Sequence, residues 1–307
     1  MRALVAIGLM AVALKTKTFQ MCELHIEMDH LGYDTLAKPF VVPRNDQLVG
    51  RNVCELHNWA RTLVLKMRAY ITPGSVVIDA GGNLGTYSVQ FSHWTGVRGR
   101  VVVFEPQPMV FKVLTANAMG AGMGNMELYN AALGFKRGVV HMAKAMLDGG
   151  SKGRDFEEVA TARGYSGKVN FGGRSLGSGG EKARMVTLDS LNISRVSFIK
   201  VDVQGSENML VFGARETILR EKPVINMELN SGMTSMMKSP ELIAQLRVPD
   251  DVARFEAVTW LISIGYREVD RLGEDVFFAH PFQPKLHAAR KSISWPSLVR
   301  PKSSASA

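Results

Sequence analysis

The chain has 307 residues, of which 46% are hydrophobic and 21% charged, and its formal net charge is +9. This composition excludes a disordered or fibrous protein and allows one large domain, or two small ones, with a real core. No acidic residue follows Asp275, whereas five basic residues do, so more than half of the positive excess lies in a tail rich in Ser, Pro and Lys. The sequence therefore predicts a basic, flexible tail over residues 284–307 and no specific nucleic-acid partner.

An uncharged apolar run, Ala3–Leu14, lies near the N-terminus between two basic residues. A helix over these twelve residues would be about 18 Å long, shorter than the roughly 30 Å hydrocarbon core of a bilayer. The length suits the apolar region of a secretory signal, and residues 11–13 (AVA) resemble a cleavage site. Localisation stays open between a secretory signal or short membrane anchor at residues 1–20, with membrane contact, and a cytoplasmic protein whose apolar run packs on its domain.

Helices and strands are predicted to alternate from residue 55 onward, because apolar residues recur first at helical spacing and then in short β-branched runs. The predicted elements up to the middle of the chain are a helix over 55–70, a strand over 75–80, a helix over 86–96, a strand over 99–105, a helix over 109–122, a strand over 125–133 and a hairpin strand over 138–145. Residues 149–180, rich in Gly, Ser, Lys and Arg, are predicted to be a loop or lid. The remaining elements are strands over 185–191 and 196–205, a helix over 206–221, a strand over 223–230, a helix over 250–265, and strands over 266–270 and 275–281.

This alternation predicts an α/β fold with a doubly wound, mostly parallel sheet. No helix separates the last two strands, which predicts an antiparallel C-terminal edge strand. The predicted parts are an N-terminal extension over 1–54 that contains the apolar segment 3–14, one catalytic domain over 55–283 with a Gly-rich insertion at 149–184, and the tail. Cys22 and Cys54 are the only cysteines, and the seven histidines lack ligand spacing, so neither a disulfide scaffold nor a metal site is predicted.

The turn after the first predicted strand of the sheet reads DAGGNLG over residues 79–85. In a doubly wound sheet, ligands lie beyond the carboxyl ends of the strands, beside such a turn. Its glycines do not form the G-x-G-x-x-G pattern of dinucleotide sites, and Asp79 directly before the bend would repel a pyrophosphate. A ligand that carries positive charge and hydroxyl groups fits better.

A second acidic residue, Glu105, ends the next predicted strand, 20 residues after Gly85. A carboxylate at this position can accept two hydrogen bonds from the vicinal hydroxyls of a ribose. Asp79 near a cation and Glu105 on a ribose describe S-adenosyl-L-methionine (SAM) better than NAD. The alternative is that Glu105 is only a surface residue at a strand end.

Five motifs, in order, resemble those of the FkbM-type SAM-dependent methyltransferases: VIDAGGNLGTYS at 77–88, VVVFEPQP at 101–108, NAALG at 130–134, FIKVDVQGSENMLVFGARETI at 198–218 and PVINMELN at 223–230. The resemblance covers about residues 70–230, roughly half of the chain. It implies a class I methyltransferase fold and methylation of a hydroxyl on a sugar, glycan or other small-molecule acceptor.

The resemblance also assigns roles by position. The methionine portion of SAM is expected on Asp79, Gly81, Gly82, Asn83 and Gly85. The helix start would close over the amino-acid end of the cofactor with Thr86 and Tyr87. Glu105 would hold the ribose, and the adenine would be flanked by Pro106, Asn130 and Ala131.

Two carboxylates are the candidate catalytic residues. Asp202 and Glu228 end two predicted strands that should be neighbours, so both are expected to point into one crevice. Asp202 is expected to orient SAM or the acceptor and is the preferred general base, and Glu228 is the second candidate. The alternative for Glu228 is a structural carboxylate bonded to nearby backbone or to Lys200. The motif around Asp202 usually reads D-x-E-G, but Gln204 stands in place of its glutamate.

Two other functions stay open at this stage. A nicotinamide-dependent oxidoreductase would share the sheet, but G-x-G-x-x-G and a Tyr-x-x-x-Lys pair are missing. A non-catalytic, methyltransferase-like module at a membrane or glycan surface would explain Gln204 and the basic tail, but it would have no need of Asp79 and Glu105.

Overall fold

The computed structural model describes residues 18–29, 34–144, 170–229 and 240–283. The apolar segment 3–14, the first part of the predicted insertion (149–169) and the tail over 284–307 lie outside these residues. Within the described ranges, none of the helices has both the length and the apolar character needed to cross a membrane.

The described strands are β1 (Phe19–Glu27), β2 (Thr35–Pro43), β3 (Val76–Ala80), β4 (Arg100–Phe104), β5 (Met126–Tyr129), β6 (Ala131–Leu133), β7 (Gly138–Ala143), β8 (Leu176–Gly177), β9 (Gly179–Val186), β10 (Val196–Val201), β11 (Val224–Glu228), β12 (Arg267–Leu272) and β13 (Asp275–Ala279). The described helices are α1 (Val49–Leu56), α2 (Arg61–Arg68), α3 (Thr86–Thr95), α4 (Pro108–Gly120), α5 (Glu207–Phe212), α6 (Arg215–Glu221), α7 (Pro240–Leu246), α8 (Asp250–Ala253) and α9 (Ala257–Ser263).

Seven of the strands form the central sheet in the order β12-β13-β11-β10-β3-β4-β5. The five strands from β11 to β5 are parallel to one another, and β13 is antiparallel to both of its neighbours. The predicted α/β fold with a doubly wound, mostly parallel sheet is therefore confirmed. The final pair of strands forms one edge as predicted, with β12 outermost and the antiparallel β13 beside it.

The central strand β3 shows why the sheet is covered on both faces. Its side chains alternate between the two faces, and every residue of the strand is buried. Val76 and Ile78 pack in the core with Ile218 of α6, whereas Val77 packs on the other side with Phe91 of α3. A strand with two buried faces is a continuous apolar run, which is the pattern that the sequence shows here.

Three predicted helices are each two helices in the structure. The prediction over 55–70 is divided between α1 and α2 because His57 and Ala60 have left-handed backbone conformations, with φ of 58° and 47°. The predictions over 206–221 and 250–265 are likewise divided into α5 and α6 and into α8 and α9. Apolar spacing continues across these breaks, so the sequence pattern did not reveal them.

The N-terminal strands β1 and β2 form an antiparallel hairpin that packs on α3 and α4. The indole of Trp94 donates to the carbonyl of Glu27 at 2.7 Å, and the amide of Asn117 bonds both the N–H and the carbonyl of Val41. The predicted boundary after residue 54 falls inside α1, and the division into domains stays a prediction.

Cys22 of β1 and Cys54 of α1 form a disulfide bond, with their Cα atoms 5.0 Å apart. The sequence analysis was wrong on this point. It judged the pair by its spacing along the chain, whereas bonding depends on the packing of α1 against β1.

The smaller sheet has the order β6-β9-β7-β8. Composition predicted a loop as far as Gly180, but strands begin at Leu176. The glycines there allow close strand pairing, because a Cβ on Gly177 would lie 2.7 Å from the Cβ of Ala143.

Candidate functional site

A cleft opens at the carboxyl ends of β3, β4, β10 and β11, where two adjoining cavities have empty volumes of about 450 and 530 Å³. From β3 the sheet continues through β4 and β5 on one side and through β10 and β11 on the other. The cleft therefore lies where the strand order reverses. The two cavities share a wall formed by Gly81, Glu105, Gly172, Asp202 and Gln204.

The glycine bend after β3 brings two strands into direct backbone contact. Gly81 has a φ of 86°, and an ideal Cβ at this position would lie 1.8 Å from the carbonyl oxygen of Asp202. The N–H groups of Gly81 and Gly82 both donate to the carbonyl of Phe104 at 2.9 Å. Only glycine therefore fits at position 81, for reasons of both conformation and space.

Two residues other than glycine also adopt left-handed backbone conformations at the cleft: Asn83 has a φ of 48° and Gln204 a φ of 55°. Backbone conformations of this kind are concentrated at binding and catalytic sites. Two buried oxygens of residues that line the cleft find no hydrogen-bond donor among the described residues: Oδ1 of Asn83 and Oε1 of Gln204. Oδ1 of Asp79 also lacks a donor, but Asp79 is fully buried and, contrary to the prediction, lines neither cavity. Because buried acceptors are normally paired, this side of the cleft suits a ligand that donates hydrogen bonds, such as an ammonium group or sugar hydroxyls.

A buried lysine lies between two of the acidic residues. Lys200, in β10, is 1% exposed, and its Nζ lies 3.1 Å from Asp202 Oδ2, 3.9 Å from Asp79 Oδ1 and 4.7 Å from the centre of the Tyr87 ring. Burial alone would lower the pKa of Lys200, but the charges of the two aspartates outweigh it and raise that pKa. The lysine is therefore a cation within the cleft wall.

Asp202 and Glu228 are neighbours as predicted, because β10 and β11 pair in parallel. Gln204 Nε2 donates to Asp202 Oδ1 at 2.9 Å and reaches Glu228 Oε2 at 3.5 Å. Burial would raise the pKa of Asp202, but the Lys200 charge and hydrogen bonds from Gln204 and Lys200 lower it. Burial and the nearby Asp202 charge raise the pKa of Glu228 to about 9. At neutral pH the pair thus combines an ionised Asp202 with a protonated Glu228.

Glu105 is 2% exposed, so the alternative of a surface strand-end residue is wrong. Its carboxylate accepts the N–H groups of Asn83 at 3.0 Å and of Gln107 at 2.8 Å. Burial raises the pKa of Glu105 to about 7, although the two backbone hydrogen bonds oppose this shift. Each carboxylate oxygen can accept a further hydrogen bond, and the residue borders both cavities.

The structure distributes the other predicted residues as follows. Thr86 and Tyr87 line the 530 Å³ cavity, and Pro106 and Ala131 line the 450 Å³ cavity. Asn130 instead supports the wall, because its amide donates to the carbonyls of Glu105 and Pro106.

Gly82 and Gly85 pack against β4 and α4. A Cβ on Gly82 would meet the side chain of Val103 in β4, and a Cβ on Gly85 would meet that of Leu114 in α4. These two glycines therefore give the bend its packing and are not among the residues that line either cavity.

Sequence analysis missed three parts of the cleft. Lys200 was named only as a possible partner of Glu228, and its place between Asp79 and Asp202 was missed, although it is the one charged residue of the apolar strand VSFIKV. Trp59, from the turn between α1 and α2, lines the 530 Å³ cavity without any local sequence signal. Gly172, from the end of the predicted insertion, covers Asn83 so closely that a Cβ on Gly172 would collide with the Asn83 side chain.

Comparison with known proteins gives one family match: the model of the methyltransferase FkbM domain matches residues 79–257, more than half of the chain. No curated protein matches the sequence. Among solved structures, the chain is similar to methyltransferase FkbM from Methylobacillus flagellatus KT, with 15% identity and a TM-score of 0.38 over 66% of this chain and 42% of that one. The chain thus covers less than half the length of that protein.

Two further similar structures contain SAM. Fibrillarin from Aeropyrum pernix, with natively bound SAM, has 13% identity and a TM-score of 0.38 over 71% of this chain and 73% of that one. The O-methyltransferase TomG from Streptomyces achromogenes, in complex with SAM, has 12% identity and a TM-score of 0.34 over 71% of this chain and 76% of that one.

Proposed function

Because the chain belongs to the FkbM methyltransferase family, we propose that it transfers the methyl group of SAM to a hydroxyl oxygen of a sugar, glycan or other small molecule. The family identifies the enzyme as a SAM-dependent methyltransferase, whereas the hydroxyl acceptor is our inference. The observation that carries this inference is the geometry at the cleft. Asp202 and Glu228 lie at the carboxyl ends of neighbouring parallel strands, and Gln204 Nε2 contacts both carboxylates. Lys200 Nζ lies 3.1 Å from Asp202 Oδ2. The family match favours neither a nicotinamide oxidoreductase nor a non-catalytic module.

The residues of the cleft fit SAM in their chemistry. The unpaired Oδ1 of Asn83, which lines the 530 Å³ cavity, is an acceptor, as the ammonium group of the cofactor requires. Glu105 has remaining acceptor capacity for ribose hydroxyls, and the 450 Å³ cavity beside it is lined by Pro106 and Ala131, which suit an adenine ring. When bound, SAM supplies a methyl group activated by a sulfonium.

The protein's own contribution is to orient the acceptor and to receive its proton. Asp202 is held ionised by Lys200, so it can accept a hydrogen bond from an acceptor hydroxyl and take the proton as the hydroxyl is methylated. Glu228, which stays protonated to about pH 9, can donate a hydrogen bond in the same cleft. Holding the acceptor oxygen in line with the methyl group also raises the rate, because the reacting atoms no longer have to find this alignment by chance.

The cofactor assignment is tested by SAM titration calorimetry on the wild type and on Glu105→Gln. The substitution keeps the shape of the side chain but removes its charge, so we expect binding to weaken by at least about 1 kcal/mol. Unchanged affinity would remove Glu105 from the ribose site.

The acceptor assignment is tested by transfer of a radiolabelled methyl group from SAM to a panel of mono- and oligosaccharides and small hydroxylated molecules. We expect Asp202→Asn to lower the rate by at least about 100-fold while SAM still binds. Asp270→Asn makes the same chemical change on β12, where Asp270 pairs with Lys66, and should leave the rate unchanged. Transfer only to amine or carbon acceptors would contradict the proposal.

We also propose that the protein folds in an oxidising compartment, because disulfide bonds persist there and are rare in the cytosol. This proposal favours the secretory signal or short membrane anchor at residues 1–20 over a cytoplasmic location. This proposal is tested by fractionation of the source cells and N-terminal sequencing of the mature protein. A cytosolic protein that keeps residues 1–20 and has both cysteines reduced would overturn the proposal.

A further inference from the structure

Three side chains with metal-binding atoms meet on the N-terminal hairpin, away from the cleft. Glu23 and His25 are two residues apart on β1 and therefore project from the same face of the strand. His57 follows the last residue of α1. One ligand atom from each of the three lies within 4.8 Å of the other two, and Glu23 is exposed to solvent while both histidines are partly buried.

The main chain, and not side-chain hydrogen bonding, holds the two histidines together. His57 ends α1 in a left-handed conformation, and its carbonyl accepts the N–H of His25 at 2.7 Å. The two imidazole rings stack with their centres 4.7 Å apart and their planes 13° apart. His57 Nδ1 is buried and has no hydrogen-bond partner among the described residues. A buried ring nitrogen without a partner needs an explanation, and a metal ion supplies one.

The disulfide bond reinforces the same geometry. Cys22 directly precedes Glu23, and Cys54 lies three residues before His57, so the bond joins the two elements that carry the three side chains. The strand and the end of the helix are thus tied covalently next to the cluster. A preorganised set of ligands loses less conformational entropy when it binds an ion.

We propose that Glu23, His25 and His57 bind a Zn²⁺ ion. Imidazole nitrogen and carboxylate oxygen are ligands that zinc prefers, and three protein ligands leave the fourth tetrahedral position for water. One carboxylate and two neutral imidazoles leave the site with one positive charge, which the open, solvent-facing side tolerates. The ligands come from β1 and α1, which is why spacing along the sequence predicts no metal site.

The ion would clamp β1 to the end of α1. Trp59, two residues after His57, lines the 530 Å³ cavity, but the three ligands themselves lie outside it. The metal site is independent of the proposed methyl transfer, because none of its three ligands lines either cavity.

The test is calorimetric titration of ZnCl₂ into the full chain, without a histidine tag or reductant and after removal of metals by a chelator. We expect one ion per chain with micromolar or tighter affinity. His25→Gln and His57→Asn should each weaken binding at least tenfold, and asparagine is chosen at position 57 because it tolerates the left-handed conformation. His141→Gln is the matched control, because His141 lies on β7 beside Gln245 and should not affect affinity.

Two further measurements separate a metal site from a folding defect. Each variant should retain SAM affinity within about twofold, and Zn²⁺ should raise the melting temperature of the wild type but not that of His57→Asn. X-ray absorption should show a first shell of nitrogen and oxygen at about 2.0–2.1 Å. The proposal is overturned if the wild type binds no zinc, or if His25→Gln and His57→Asn bind it as tightly as the wild type.

Discussion

Replacing Gly81 by alanine would place a methyl group almost on the carbonyl oxygen of Asp202. An ideal Cβ would lie 1.8 Å from that oxygen, and the oxygen belongs to the backbone and has no flexible end that could move aside. Gly81 also has a φ of 86°, which is unfavourable for alanine. The substitution therefore adds a conformational cost and a steric cost at the same residue.

The two costs can be separated with a second glycine. Gly74 has a φ of 79°, but no heavy atom lies within 4 Å of the position of its Cβ. Gly74→Ala should therefore cost only the left-handed conformation, about 1–2 kcal/mol. Gly81→Ala should add an overpacking cost of about 1–3 kcal/mol, because β3 and β10 must separate. We expect the two variants to differ by at least about 1 kcal/mol in the free energy of unfolding.

The assay is urea unfolding followed by intrinsic fluorescence, together with calorimetric titration of SAM. Displacement of the wall that Gly81 and Asp202 form between the two cavities should weaken SAM binding to Gly81→Ala by at least about tenfold, roughly the loss of one hydrogen bond to a charged group. Gly74→Ala should bind SAM as the wild type does, because Gly74 lines neither cavity. Equal stability losses and equal SAM affinities in the two variants would refute the close-packed bend described here.

Three other changes test the buried charges and the disulfide. The pKa of Glu228 is raised to about 9 from an ordinary 4.5, which means that the folded protein holds this proton more tightly than the unfolded chain does. The free energy of unfolding should therefore fall between about pH 5 and 9, by up to about 1.4 kcal/mol per pH unit. Because the pKa of Glu105 is also raised, to about 7, the contribution of Glu228 is separable only above that pH. Glu228→Gln should flatten the slope between about pH 7 and 9 in urea unfolding, and an unchanged slope there would assign it to another group. Lys200→Met leaves the buried Asp79 and the partly exposed Asp202 without their cation and should cost about 3–5 kcal/mol in the same assay, so a loss below about 1 kcal/mol would contradict the ion pairs. Replacing both Cys22 and Cys54 by serine opens a 32-residue loop and should lower the free energy of unfolding by about 3–4 kcal/mol. If reduction of the wild type left its stability unchanged, the disulfide would not have this role.

The sheet and the bend were predictable because their causes are local. β3 is a continuous apolar run, the glycines follow it directly, and Glu105 ends the next strand, so alternation and spacing carried this information. The pairing of Asp202 with Glu228 followed from one rule, that neighbouring parallel strands end at the same edge.

The parts that sequence analysis missed depend on packing between distant segments. Cys22 and Cys54 meet only because α1 packs on β1, and Trp59 reaches the cleft only because the chain breaks at His57. Lys200 was visible as a charge in an apolar strand, but its role depends on two aspartates from different elements. Periodicity reports which face of an element is buried, not which element covers it.

The contact between Gly172 and Asn83 has a consequence for engineering. It joins the described, C-terminal part of the predicted insertion to the loop that follows β3, so this glycine-rich segment is anchored at the cleft. A graft of this region from a relative would keep the contact only if it ended before residue 170. A graft that extended further and replaced the glycine would displace the Asn83 side chain, which lines the 530 Å³ cavity, and would therefore weaken SAM binding.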